Sequence, residues 1–285
     1  MNTLRAAALL AALLTAGAAQ AQTADAAPKR EALRVCQDPN NLPFSNTHAE
    51  GIENRIAEVF GKALGLPVSY YSFPNRFAFI RNTLRYKLPG QDYPCDIVMG
   101  VPSGFDQVSV TKPYYRSTYA LVFPAGKGLD HVKSGADFLA TDRALLGKLR
   151  IGLYDRSPAS EWLAKHGLVD NGVPYKILNA DPAQYPGEII EKDLAKGEID
   201  AAIVWGPIAG FFAKRVKSPA LVVVPLRSEP GVKFDYEMAM GVRYGEREWK
   251  QQVEGLIESR KAEIQAILRE FGVPLVDESY AARQP

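Results

Sequence analysis

The run Asp96-Ile-Val-Met-Gly-Val101 constrains this chain more than any other stretch. It is apolar after its first residue, and Pro94 on one side with Pro102, Ser103 and Gly104 on the other keep it short. A short apolar run between turn residues predicts a strand covered on both faces, as in parallel sheets. Ligands of open α/β sheets sit at the carboxyl ends of such strands, so the residues after Val101 become site candidates.

The chain around this run alternates accordingly. Residues 33–36 read as a first strand. Ile52, Ile56, Val59, Phe60, Ala63 and Leu64 then share one face of a helix stopped by Gly65 and Pro67. Residues 68–73 are β-branched and aromatic, a second strand, and Phe77, Ile80 and Leu84 mark a further helix face. This βαβαβ order belongs to a parallel sheet. A second series follows Pro124, with helices over 136–148, 158–166, 189–194 and 208–215. Its strands are expected over 151–154, 176–178, 201–205 and 221–224. A strand over 234–242 and a helical pattern over 249–271, broken by charges at Arg260 and Lys261, close the chain.

A length of 285 residues with 47% hydrophobic content suits one large or two smaller domains. Arg5, the apolar stretch 6–14 and Ala19-Gln20-Ala21 have the layout of a cleaved secretory signal. Residues 1–21 are therefore expected to be a signal peptide leading to the periplasm, and residues 22–31 a flexible lead-in. The apolar stretch is too short for a membrane span. A formal net charge of +2 gives no support to nucleic-acid binding.

Cys36 and Cys95 would lie in an oxidising compartment, where a disulfide between them and a pair of buried thiols both remain open. Neither shares ligand spacing with His48, His131 or His166, so no metal site is expected. No glycine-rich phosphate loop, Gly-x-Ser-x-Gly elbow or His-Glu-x-x-His pair is present, and no cofactor is expected.

Several longer motifs carry a resemblance. They are Arg34-Val35-Cys36, the segment from Asp38 through Asn40-Asn41-Leu42-Pro43-Phe44 to Asn46, Arg81-Asn82-Thr83-Leu84, the stretch 95–105, and Arg116-Ser117-Thr118-Tyr119. In these the chain resembles the binding-protein-like companions of PQQ-dependent methanol dehydrogenases, the MoxJ/XoxJ type, within the family 3 extracellular solute-binding proteins. The resemblance covers most of the mature chain. It implies an α/β, two-lobe periplasmic-binding-protein fold (type II), with two mixed, mostly parallel sheets joined by a two-stranded hinge. The first lobe would comprise 32–120 plus 226–285 and the second 121–225, with hinge strands near 119–123 and 221–224. The implied partner is a periplasmic methanol dehydrogenase or its cytochrome c, met by protein contact during assembly or activation.

Amino-acid binders of the wider superfamily hold the ligand carboxylate with an arginine and its ammonium with an aspartate. By alignment those places fall here on Gly104 and Trp205, so both halves of the charge clamp are absent, although Arg156 or Arg76 could substitute. The cleft candidates are Asp38, Asn40, Phe44, Arg76, Pro102, Ser103, Asp106, Asp155, Arg156, Ser157 and Trp205. Ser157 before Pro158 is a helix start, serving as an N-cap or as part of an anion site. Glu50, Glu53 and Asp106 are lone acids without a visible catalytic partner. The rival functions are the solute-binding component of an ABC importer for a small polar ligand and, behind it, a periplasmic dehydratase.

Overall fold

The computed structural model describes residues 30–75, 78–176, 181 and 183–281. The expected signal peptide, almost all of the lead-in and the candidate Arg76 lie outside the described residues. The first elements are β1 (Leu33–Gln37), two short ribbons β2 (Asn40–Asn41) and β3 (Ser45–Asn46), α1 (Ile52–Leu64), β4 (Val68–Ser72), α2 (Phe79–Asn82) and β5 (Ile97–Pro102). Then come β6 (Ser109–Val110), β7 (Tyr115–Pro124), α3 (Gly135–Leu139), α4 (Arg143–Leu146), β8 (Ile151–Tyr154), α5 (Pro158–Lys165) and β9 (Gly172–Tyr175). A wide helical turn over Ile189–Leu194 precedes β10 (Ala201–Trp205), α6 (Gly206–Arg215), β11 (Leu221–Pro225), β12 (Asp235–Val242), α7 (Arg247–Ser259) and α8 (Lys261–Glu270).

The strands form two lobes that share one strand. β4, β1, β5 and β12 lie side by side, and β7 continues the order to β10, β8 and β9. Residues 115–118 of β7 pair with β12, whereas residues 119–124 pair with β10 and β11. Each half-sheet is parallel away from this crossing and antiparallel at it, because β12, returning from the second series, runs against β5 and β7. The tail packs on the first core: Trp249, Val253, Ile264 and Leu268 join Leu33, Ile56, Phe60 and Ile97. On the second half-sheet, Leu121, Phe123 and Ile203 face Phe138 and Trp162. Alternate residues Val122 and Val204 face Ile189 and Phe212, the period-two pattern of strands buried on both sides.

The Arg116-Ser117-Thr118-Tyr119 motif ties the crossing strand to both returns of the chain. Arg116 pairs with Asp235 and with Glu237, the latter at 2.9 Å, while Ser117 Oγ donates to Pro274 O at 2.8 Å and Thr118 Oγ1 to Leu226 O at 2.6 Å. Close by, α6 lies against the tail so tightly that a Cβ at Gly210 would stand 1.8 Å from the Gly272 carbonyl oxygen.

Some expected helices are shorter or divided. The helix expected over 136–148 is two helices, because Asp142 accepts from Ala144 N and Leu145 N and caps a new start. The second helix of the first lobe keeps only one turn, α2, closed by Thr83 Oγ1 on Phe79 O at 2.7 Å. Of the strand expected over 176–178, residues 177 and 178 lie outside the described residues; β9 stands just before it, where Pro174 is tolerated at a sheet edge.

The cysteines form a disulfide, with Cα atoms 5.3 Å apart. Its register is not that of facing strand residues, since Cys36 pairs with Val98, so the chain before β5 turns back towards β1 to reach it. The bond spans 59 residues, and replacing both cysteines by alanine is expected to cost about 2–4 kcal/mol, read as a lower urea midpoint.

Candidate functional site

The site begins with a break in the alternation of β5. Ile97 and Met99 face the core that holds Phe60, and Val98 faces the opposite one with Cys36 and Leu84. Val101 should rejoin Ile97 by parity but lies with Val98. The cause is a bulge: Gly100 sits at φ +67°, and the register against β12 slips between Ala239 and Gly241.

That bulge opens the floor of a hollow of about 430 Å³ at the carboxyl ends of β1 and β5. Its walls include Asp38, Phe44, Glu53, Phe79, Pro102, Phe105, Gln107 and Trp205. A second hollow of about 490 Å³ adjoins it, sharing Asp38, Asn41, Asn75 and Trp205 and adding Asn40 from the same side, Tyr119 from the crossing strand, and Tyr154, Arg156, Lys176 and Tyr185 from across the cleft. Together they form one cleft between the lobes. Asn40 Nδ2 spans it to Ala183 O at 3.4 Å.

Six of the candidates named from the sequence line the cleft. Asp38 is held by two backbone donors, Asn40 N at 2.8 Å and Asn75 N at 2.5 Å. Phe44 and Pro102 line the deeper hollow, Asn40 the outer one, and Trp205 both, its ring edge-on to Tyr119 at 5.5 Å. Arg156, at φ +57°, lines the outer hollow from the second lobe. Ser103, Asp106, Asp155 and Ser157 line neither; their neighbours Phe105 and Gln107 do. Ser103 N is taken by Glu237 O at 2.8 Å, and the Asp106 carbonyl accepts from Tyr244 Oη.

Ser157 stands at the N-cap position of α5 but makes no side-chain cap. Its own carbonyl accepts from Ser160 N at 3.0 Å, leaving Oγ buried without a partner. Gly104 is exposed in a turn at φ +86°.

Glu53, a lone acid in the sequence, also lines the deeper hollow. It lies in the first turn of α1, four residues before Ala57 and seven before Phe60 on the inward stripe, a spacing that could have flagged it. Burial first, and the nearby Asp38 charge second, push its carboxyl up from 4.5 to about 8. The Tyr114 and Tyr115 phenols are held well above their ordinary range, chiefly by burial. Tyr119 and Tyr154 are raised for the same reason. Among the described residues, no group of three or more histidine, cysteine or acidic side chains could hold a metal ion, and no helix is long and apolar enough to cross a membrane.

Two half-sheets sharing a crossing strand, a tail that returns to the first core, and a cleft at the strand ends define a periplasmic binding protein of type II. The solved structure of periplasmic binding protein XoxJ from Methylobacterium extorquens AM1 superposes with a TM-score of 0.69 at 35% identity, covering 86% of this chain and all of that one. MoxJ of Methylorubrum extorquens is 30% identical over 279 residues, 90% of this chain and 86% of that protein. The chain belongs to the MoxJ family. An ancestral cationic amino acid solute-binding protein shares the fold, with a TM-score of 0.63 at 18% identity. No family model matches the sequence.

Proposed function

We propose that this chain is a periplasmic accessory protein of a PQQ-dependent methanol dehydrogenase, assisting assembly or activation of the dehydrogenase or its cytochrome c by direct contact. The observation that carries this reading is a binding-protein cleft whose two clamp places hold Gly104 and Trp205, neither of which can pair with an amino acid's charges. Family membership supports it. The lobes are taken as 32–120 with 226–285 and 121–225, with 1–21 removed on export. With the mature protein tagged at its C-terminus, recovery of dehydrogenase or cytochrome from methanol-grown cells, together with a change in dehydrogenase activity on adding it back, is the expected result. Recovery of neither would overturn the reading.

The second reading is the solute-binding component of an importer, favoured by the deep hollow and its buried carboxyl at Glu53. It requires a ligand that stabilises the free protein, by about 2.7 kcal/mol at one hundred times its Kd.

A further inference from the structure

We infer that the deeper hollow is a binding site for a small organic cation, an alkylammonium ion, with the Glu53 carboxylate as its counterion. Glu53 is only 9% exposed, lines the hollow, and is reached by no hydrogen-bond donor among the described residues. The backbone is shaped around it: a Cβ at Gly100 would stand 2.5 Å from Glu53 Oε1, so the bulge of β5 makes the room its carboxyl occupies. The other walls suit the same ligand. Asp38 adds a second carboxylate, the side chains of Asn41, Asn75 and Gln107 offer amide oxygens, and Phe44, Phe79 and Trp205 present rings. The described residues of this hollow carry no basic group. An anion would meet two carboxyls there, and a neutral alkyl group would leave a buried acid unanswered; an alkylammonium ion satisfies the acid and the apolar wall together.

The exchange balances as one proton for one cation. In the empty site burial keeps the Glu53 carboxyl protonated up to about pH 8. On binding, its O–H proton leaves to solvent and the carboxylate accepts an N–H bond from the ammonium group. The titratable groups facing Glu53 are Asp38, from the loop after β1, and Tyr114 and Tyr115 at the head of β7. None of them is a cation, and the phenols keep their protons across this range. The site is independent of any dehydrogenase contact and stands or falls without it.

Calorimetric titration of the mature protein with n-butylammonium, against n-butanol and butyrate, tests this. Saturable binding of the ammonium ion alone is expected, about fifty-fold tighter at pH 8 than at pH 6, given a carboxyl near 8. Titrations in buffers of different ionisation heat should show close to one proton released per ion at pH 6, falling away above pH 9. Glu53→Gln, checked for folding by circular dichroism, should lose the binding. Absence of ammonium binding, equal binding of the alcohol, affinity independent of pH, or a folded variant that binds as before would each overturn the assignment. If the variant does not fold, the proton count on the native protein decides alone.

Discussion

Asp96→Ala is expected to destabilise the protein by about 3–5 kcal/mol, read from the midpoint of urea unfolding. Asp96 is 1% exposed and gathers three arginines. Arg34 grips it through Nε at 2.7 Å and Nη2 at 3.0 Å, Arg243 Nη2 reaches Oδ1 at 2.5 Å, and Arg30 Nε stands 3.9 Å away. Arg243 is itself 9% exposed and also donates to the carbonyls of Leu84 and Cys95. Trp249 Nε1 donates to the Asp96 carbonyl, so one residue joins β1, β5 and the returning tail. Removing the carboxylate leaves Arg243 Nη2 without its acceptor and Glu246 as the acid that remains on a buried guanidinium, and this loss of compensation, rather than the lost attraction, sets the size of the effect. A loss under 1 kcal/mol would show that the existing pairing with Glu246, at 2.7 Å from Arg243 Nε, is enough to hold the buried guanidinium.

The empty protein is expected to lose stability as pH rises from about 4.5 to about 8, by ~5 kcal/mol at most, in a way that Glu53→Gln abolishes. Below 4.5 both the folded and the unfolded chain hold the Glu53 proton, and the residue contributes no pH dependence. Above that point the unfolded chain releases the proton while the folded one retains it, so each further unit of pH favours unfolding until the folded group also ionises near 8. Acidic groups held low, such as Asp200 beside Arg150 and Glu229 beside Lys165 and His166, act in the opposite direction at lower pH. The difference between wild type and Glu53→Gln isolates the single carboxyl from them. Parallel stability curves for the two proteins from pH 5 to 9 would show that Glu53 titrates as an ordinary carboxylate.

Much of the frame was legible in the residues. The strand after Asp96, helix α1 with its Gly65 stop, and the buried strand β10 follow from apolar spacing and turn chemistry alone. The helix over 136–148 was misjudged because its apolar spacing continues through Thr141-Asp142, and only the cap bonds to Ala144 and Leu145 show a second start. In the site, Asp38, Asn40, Phe44, Pro102 and Trp205 were placed by the rule that strand ends line the cleft. Ser103 and Asp106 follow the same rule yet line neither hollow, both being exposed on either side of the turn at Gly104.

The sequence by itself determined the layered α/β order and the pairing of two such series, since these depend on periodicity and residue identity along the chain. Only the tertiary structure decided that Cys36 bonds Cys95, that Asp96 rather than its strand is the junction of three segments, and that Glu53 stands in the cleft floor. Each of those depends on contacts between residues far apart in the chain, and on a bulge at Gly100 that shifts side chains from one face of β5 to the other. A one-residue slip in a strand leaves almost no mark on the apolar pattern, yet it exchanges which side chains meet the core and which meet a ligand.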